Sequence, residues 1–168
     1  NYLFPLGTSA NYNPANILTN TLTAGGNILS QFFPNPPGNG GFPIADPPME
    51  LFETYTSGYW KMISGGGFSS SDFNIDLTAE GFNDTVWSIT RLVRRDNSGN
   101  WAVDGTHRAA DTTALVVYRD NLTDDISTAG TDFALARPRP LITDHPNDTA
   151  VCETFNAVFR VTATGARA

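Results

Sequence analysis

The stretch FNIDLT, residues 73–78, alternates apolar and polar side chains without interruption. Phe73, Ile75 and Leu77 share one side of an extended chain and the polar residues share the other, because successive side chains of a β-strand point to opposite faces. Such a segment buries one face and leaves the other in water. It predicts a strand of an antiparallel sheet that is packed on one side.

A hairpin is predicted on the C-terminal side of this strand. Residues 86–93 form the next strand pattern, and the turn-forming residues of RDNSGN, 95–100, follow it. Asp, Asn, Ser and Gly tolerate or require the backbone conformations of tight turns. The segment 101–103 then resumes a strand as the second arm of the hairpin.

The remaining patterns extend the sheet in both directions. The apolar run 114–118 is predicted to be a strand that is buried on both faces or lies at a sheet centre, and residues 133–135 form the last strand of the domain. Segment 16–22 allows one short helical turn. The proline-rich and glycine-rich segment 34–48 cannot pair regularly and is predicted to be a strap over the sandwich. Residues 1–137 are therefore expected to form an all-β, antiparallel β-sandwich.

Composition excludes several kinds of partner. The chain has 168 residues and a net charge of −7, with Lys61 as its only lysine. Nucleic-acid binding needs a basic surface, and anionic membranes repel an acidic protein, so neither partner is expected. No apolar run reaches the ~20 residues that cross a bilayer, so no membrane insertion is expected. The first residue is Asn1 and not methionine, which predicts a processed or excised segment of a larger protein.

A domain boundary is predicted at the proline pair of RPRP, residues 137–140. Two prolines one residue apart make a short extended joint, and we assign 138–140 as a proline hinge. Residues 141–168 follow, with an alternating apolar pattern at 155–163. This segment also holds the only cysteine, Cys152. Its acidic neighbours raise a thiol pKa, which argues against a catalytic cysteine.

The C-terminal segment PLITDHPNDTAVCETFNAVFRVTATG, 140–165, resembles the opening of an immunoglobulin-like (Ig-like) module found in very large secreted proteins of Bacteroidota. The matching positions are Leu141, Ile142, Thr143, Pro146, Val151, Cys152, Glu153, Ala157, Phe159, Val161, Ala163 and Gly165. The resemblance implies that residues 141–168 are the first strands of an Ig-like module. It also implies that Cys152 forms a disulfide with a cysteine beyond the end of this chain. The alternative is a free, buried cysteine that packs as a small apolar side chain.

The first 137 residues are similar to modules of the same surface proteins. NYLFPLGTSANYNPANI at 1–17, YWKM at 59–62 and TDFALARPRPLIT at 131–143 carry this resemblance. It implies an extracellular, cell-surface protein exported by the type IX secretion system, such as a gliding-motility adhesin or a surface filament. The expected function is a non-catalytic structural or adhesive module. Its partners would be neighbouring modules of the same polypeptide, a homopolymer or a surface polysaccharide.

Three threonines are candidate O-glycosylation sites under this resemblance. Thr85, Thr112 and Thr149 each follow an aspartate and precede a small or aliphatic residue, which is the acceptor pattern of Bacteroidota glycoproteins. Asp-Thr is also a common pair in turns. An acceptor threonine needs an exposed hydroxyl group.

The alternative function is a carbohydrate-binding module. Trp101 follows the predicted turn at 95–100 and is therefore the best candidate among the tryptophans for stacking on a sugar. A place in the core is nevertheless the favoured interpretation for Trp101, as for Trp60 and Trp87.

No cofactor is expected, and we assign no catalytic residue. Asp72, Asn74 and Asp76 could bind calcium, although the solvent face of a strand is the favoured explanation for these three residues. The acidic segments 96–100 and 124–125 are weaker candidates of the same kind. His107 and His145 are expected to lie in loops and contact solvent. No nucleophile motif accompanies them.

Overall fold

The computed structural model describes residues 1–83, 85–139, 141–144, 158, 160 and 162–164. The fold is all-β, with two antiparallel sheets packed as a sandwich, as the sequence predicts. A single turn of 3-10 helix lies at Trp87–Ile89. The strands are β1 Tyr2–Phe4, β2 Ala15–Ala24, β3 Asn27–Phe33, β4 Ile44–Asp46, β5 Met49–Thr54, β6 Tyr59–Gly65, β7 Ser69–Thr78, β8 Arg91–Asp96, β9 Thr106–Asp111, β10 Val116–Leu122, β11 Thr131–Pro138, β12 Leu141–Asp144 and β13 Thr162–Thr164.

The first sheet has five strands in the order β1-β2-β7-β10-β9. The stretch 73–78 forms most of β7 at the centre of this sheet. Phe73, Ile75 and Leu77 are buried against the second sheet, which confirms the alternation in the sequence. Strand β2 pairs with β7 over its whole length, from Ala15 to Ala24, so the predicted helical turn at 16–22 is wrong.

The second sheet is organised around β11. Along one edge, β11 pairs with β8 over Thr131–Ala136. Along its other edge it pairs first with β6 and then with β5. Strands β3 and β4 extend the sheet beyond β6 and β5. The predicted last strand at 133–135 is therefore present, and it is the central strand of this sheet.

Two apolar layers cover β11, one on each side. Phe133 and Leu135 point into the main core between the sheets, where they meet Trp60 and Met62. Ala134 and Ala136 point the other way, into a smaller core on the outer face of the second sheet. The run FALA is continuous because both faces of this strand are buried.

The smaller core is closed by the segment 34–48, which we call the strap. Phe42 and Ile44 of the strap pack with Trp101, Leu51 and Val93 over the outer face of the second sheet. The Trp101 backbone N–H donates to the Gly40 carbonyl oxygen at 2.9 Å. Its indole N–H donates to the Gly38 carbonyl oxygen at 2.8 Å. The predicted strap is present, but the prediction that this segment cannot pair regularly is wrong for Ile44–Asp46, which pair as β4 with β5.

The chain crosses between the two sheets at a corner where two turns lie side by side. The β2–β3 turn contains Gly25 and Gly26, and the β6–β7 turn contains Gly66 and Gly67. A Cβ atom on Gly26 would lie 2.4 Å from the Gly65 carbonyl oxygen and 2.4 Å from the Phe68 amide nitrogen. Gly26 therefore permits the close approach of the two crossings.

Replacing Gly26 with alanine should lower the free energy of unfolding by about 1–3 kcal/mol, since backbone atoms must move to admit the methyl group. The adjacent Gly25 is the matched control, because an added Cβ there meets no heavy atom within 4 Å. Gly25→Ala should be neutral or slightly stabilising, by at most about 1 kcal/mol. Urea unfolding of the two variants measures both values. Equal effects would contradict the proposed packing of the corner.

Three local predictions are wrong. Residues 87–89 form the 3-10 turn, and the strand begins only at Arg91. The segment 101–103 forms a single bridge, Arg94 to Ala102, and not the second arm of a hairpin. The run 114–118 begins in a turn, and β10 exposes part of Val116 and Tyr118 on the outer face of the sheet.

Strands β12 and β13 form a separate two-stranded antiparallel sheet. Most of segment 141–168 lies outside the described residues. The predicted division into residues 1–137, a hinge at 138–140 and the start of an Ig-like module therefore stays a prediction.

Candidate functional site

The outer face of the first sheet is lined by a row of side chains, one from each strand. Strand pairing sets this row, because each residue is the direct partner of the next across the sheet. We call it the cross-sheet row; in order from β1 to β9 its members are Leu3, Asn16, Asp76, Tyr118 and Arg108.

Polar contacts hold the cross-sheet row in one arrangement. The Asn16 amide donates to an Asp76 carboxylate oxygen at 3.1 Å, and Arg108 approaches the other oxygen at 3.2 Å. Arg108 also donates to Asp120 at 2.8 Å. Its guanidinium carbon lies 3.8 Å from the centre of the Tyr118 ring, a cation–π contact. Burial, and next the charge of Asp111, raises the pKa of Tyr118, so its hydroxyl group keeps its proton at neutral pH.

A groove of about 320 Å³ lies along this row. Leu3, Asn16, Asp76 and Tyr118 line it, together with Thr78 and Val116 of the neighbouring row. The Asn16 amide oxygen is buried and has no hydrogen-bond donor among the described residues. Its amide nitrogen is held by Asp76, which fixes the oxygen as the free acceptor. The groove therefore combines an aromatic wall with an acceptor that lacks a donor.

A second depression, of about 460 Å³, lies over the loop between β1 and β2. It is lined by residues 5–12 and by Glu80. Its strongest acceptor is already used, because Glu80 accepts a hydrogen bond from the Tyr12 amide. Thr8 likewise caps the amides of Ala10 and Asn11 within the loop. The conformation of the β1–β2 loop therefore accounts for this depression, and the loop's own amides already use these acceptors.

Arg94 occupies the place where the acidic segments suggested calcium. Its guanidinium donates to both carboxylate oxygens of Asp96, at 2.8 and 2.9 Å, and to Asp104 at 3.3 Å. It also donates to the carbonyl oxygens of Asp124 and Asp125. Carboxylate and carbonyl oxygens are typical calcium ligands, and here they surround a buried guanidinium. Calcium at 96–100 or 124–125 would have to displace this side chain.

The other calcium candidate is part of the polar outer face. Asn20 donates to Asp72 at 3.1 Å and to Asn74 at 3.0 Å, and Asp76 belongs to the cross-sheet row. Among the residues that the structure describes, no group of three or more His, Cys, Asp or Glu side chains could hold a metal ion.

A buried ion pair joins the two sheets. Asp46 of β4 accepts two hydrogen bonds from Arg119 of β10, at 2.8 and 3.1 Å, and Arg91 of β8 lies 3.6 Å away. Asp46 is 6% exposed and Arg119 is 1% exposed. Arg119 also donates to the carbonyl oxygens of Asp104 and Gly105. These groups satisfy one another away from solvent, so we assign them a structural role.

His107 lies on β9 beside this ion pair, and not in a solvated loop as the sequence predicted. Burial lowers the pKa of His107 below 6.5, and the charge of Arg91 lowers it further. Arg119 acts in the same direction and Asp46 opposes them. The Nδ1 atom is buried without a partner in the described part of the chain. The folded protein therefore favours the neutral imidazole.

Stability should fall as pH drops below 6.5, because the unfolded chain then binds a proton at His107 that the folded chain disfavours. His107→Gln should remove this part of the pH dependence. Urea midpoints of both proteins, about one pH unit above and about one unit below 6.5, measure the difference. Parallel pH profiles of the two proteins would contradict the assignment.

The structure corrects the prediction for Trp101. The side chain is 2% exposed, lies in the smaller core and carries the guanidinium of Arg95 at 4.3 Å from the ring centre. Trp60 is also buried, with its indole N–H on the Asn13 carbonyl oxygen. A sugar cannot reach the Trp101 ring, so the predicted stacking site at Trp101 is wrong.

The candidate glycosylation sites differ in exposure. Thr112 is exposed in the turn between β9 and β10, where Asp111 accepts hydrogen bonds from the amides of Thr113 and Ala114. The hydroxyl oxygen of Thr85 is buried, which conflicts with the exposed acceptor that glycosylation needs. Thr149 and the disulfide candidate Cys152 lie outside the described residues.

Sequence reasoning did not select the cross-sheet row. It considered Asp76 only as a calcium candidate or as part of a solvent face, and it placed Tyr118 in a doubly buried strand. One sequence signal could have placed Tyr118 on the row. Val116, Tyr118 and Asp120 alternate with Val117 and Arg119, so the first three share one face of a strand.

Comparison of the chain with protein-family models, with curated proteins and with solved structures found no match. Within the described ranges, no helix has the length and apolar character needed to cross a bilayer.

Proposed function

We propose that this chain is a non-catalytic structural and adhesive module of a large, secreted bacterial cell-surface protein. Its task is to carry tension between neighbouring modules of the same polypeptide outside the cell. The observation that carries this proposal is the placement of the first and last strands of the sandwich. The resemblance to type IX-secreted, gliding-adhesin-like proteins supports the extracellular location.

The first and last strands run in the same direction. Strand β2 runs toward the corner, and β1 is antiparallel to it, so β1 runs away from the corner. Strand β6 also runs toward the corner, and β11 is antiparallel to β6, so β11 runs away as well. Tension applied before β1 and after β11 therefore pulls the two strands in opposite senses along their lengths. The interstrand hydrogen bonds lie perpendicular to this pull and are loaded together.

The last strand is the better anchored of the two. β11 pairs with β8 along one edge and with β6 and β5 along the other. The buried pair of Asp46 and Arg119 then ties the two sheets together. This arrangement suits a module that transmits force.

Force spectroscopy on single molecules tests the proposal. In a Cys152→Ser background, cysteines at Asn1 and Arg139 apply force end to end. Cysteines at Gly25, directly after β2, and at Ser71 of β7 lie near the corner, and force between them pulls these paired strands apart from one end. We expect a clearly higher unfolding force for the end-to-end attachment, because that geometry shears many hydrogen bonds at once.

The two attachment pairs control for each other, provided that urea unfolding shows equal stability. An end-to-end unfolding force equal to or below the force at the corner would contradict a tension-bearing role.

Glycosylation fits the same proposal, and Thr112 is the acceptor that we favour. Its exposure in a tight turn gives an enzyme access to the hydroxyl group.

A further inference from the structure

We propose that the groove along the cross-sheet row binds a neutral polysaccharide, with Tyr118 as the wall against which a sugar ring packs. This site lies on the first sheet, whereas β11, the last strand of the tension path, lies in the second sheet. The site also replaces Trp101 as the aromatic contact of a carbohydrate-binding function.

The shape of the groove fits a chain of sugars. Five strands each contribute one side chain to the cross-sheet row, so the polar groups lie on a line across the sheet. The row ends at Leu3, which is largely exposed, and the groove opens to solvent. An open groove on a sheet face admits a polymer.

Tyr118 is held in place before any ligand binds. Arg108 packs at 3.8 Å from the ring centre and is itself fixed by Asp76 and Asp120. Arg108 does not line the groove, whereas Tyr118 does. A preorganised aromatic side chain loses little conformational entropy when a ligand packs on it.

The polar lining of the groove suits a ligand rich in hydroxyl groups. Asn16 lines the groove, and its buried amide oxygen has no donor in the described structure. Thr78 adds a hydroxyl group beside it. A sugar hydroxyl group supplies a donor of the missing kind, and the C–H face of a sugar ring suits the tyrosine ring.

Charge favours a neutral sugar over an acidic one. Asp76 and Asp120 share the single cation Arg108, so these side chains leave one excess negative charge on the row. The protein as a whole carries −7. A uronate or sulfate group would meet repulsion and find no free cation among these row residues.

Affinity electrophoresis of the whole chain tests the proposal. Native gels contain a soluble β-glucan, an α-mannan or a galactomannan as neutral probes, and alginate as the acidic probe. We expect retardation by at least one neutral polysaccharide and none by alginate. Tyr118→Ala should weaken the retained interaction by about tenfold or more, as expected for an aromatic contact at the centre of a site.

Tyr12→Ala is the matched control, because Tyr12 is 53% exposed and lies at the other depression. It should bind like the unmodified protein. Asn16→Ala gives a second test at the groove, and urea unfolding verifies that each variant is folded.

The proposal is overturned if no neutral polysaccharide retards the protein, if alginate alone does, or if Tyr118→Ala and Asn16→Ala both bind normally. Concentration-dependent self-association that Tyr118→Ala abolishes, without glycan binding, would assign this face to a second copy of the chain. The force experiment is independent of all these outcomes.

Discussion

Replacing Asp46 with alanine should lower the free energy of unfolding by about 3–5 kcal/mol. The carboxylate is buried between the sheets, where it accepts two hydrogen bonds from Arg119 and balances the charge of Arg91. The alanine variant leaves two guanidinium groups without a counter-charge in a site that water does not reach. The free-energy cost of burying these unpaired charges exceeds the desolvation free energy that is saved when the carboxylate is removed.

Glu53→Ala is the matched control for this prediction. Glu53 also pairs with an arginine, Arg137, at 2.7 Å, but its side chain is 46% exposed. Exposed pairs contribute at most about 1 kcal/mol because water and salt screen them. Urea unfolding of the two variants gives the comparison. A loss at Asp46 no larger than the loss at Glu53 would show that the carboxylate is not buried as described.

Trp101→Ala should cost a similar amount, about 3–5 kcal/mol. The indole ring fills the smaller core, and its N–H group holds the strap through the Gly38 carbonyl oxygen. Removal of the ring leaves a cavity beneath the strap and leaves the Gly38 carbonyl oxygen without this donor. The outer face of the second sheet would then lose its cover.

Limited proteolysis combined with urea unfolding measures this effect. We expect new cleavage within residues 34–48 and a lower unfolding midpoint for Trp101→Ala. Trp87→Ala is the control, since Trp87 is only partly buried and lies in the 3-10 turn. It should cost less and leave the strap protected. Unchanged stability and an intact strap in Trp101→Ala would contradict the packing of the smaller core.

The sequence was sufficient for features that depend on local alternation. The segment 73–78 carries its period of two through the centre of a sheet, and the fold class follows from several such segments. The proline content of 34–48 likewise predicts a strap, because proline cannot take part in regular pairing. These properties belong to neighbouring residues and need no knowledge of the rest of the chain.

The burial of an outer sheet face depends on distant residues. Trp101 follows a turn, and its pattern alone is compatible with exposure. The strap that covers it lies about 60 residues earlier, bonded at Gly38 and Gly40. The strap covers the outer face of the second sheet, so segment 133–135 belongs to a strand that is buried on both faces. Segment 114–118 contributes to β10 of the first sheet, which the strap does not cover. Local apolar content could not distinguish these two segments.

Charged residues were the hardest to place from sequence. Asp46 and Arg119 are 73 positions apart, and Arg94 meets the carbonyl oxygens of Asp124 and Asp125 across 30 and 31 positions. Charged residues make up only 16% of the chain. The structure nevertheless buries several arginines as internal cations, which is why acidic loops that resemble calcium sites are already occupied by Arg94.

The two outer faces of the sandwich differ in exposure, because the strap seals the second sheet and the first sheet is open. Hydroxyl-radical footprinting of the native protein, with side-chain oxidation quantified by mass spectrometry, tests this directly. We predict slow oxidation of Trp101, comparable to that of the buried Trp60, and fast oxidation of Tyr12 and of Leu18 on the open face. Trp101 oxidised as fast as Tyr12 would contradict the account and would restore Trp101 as a surface residue.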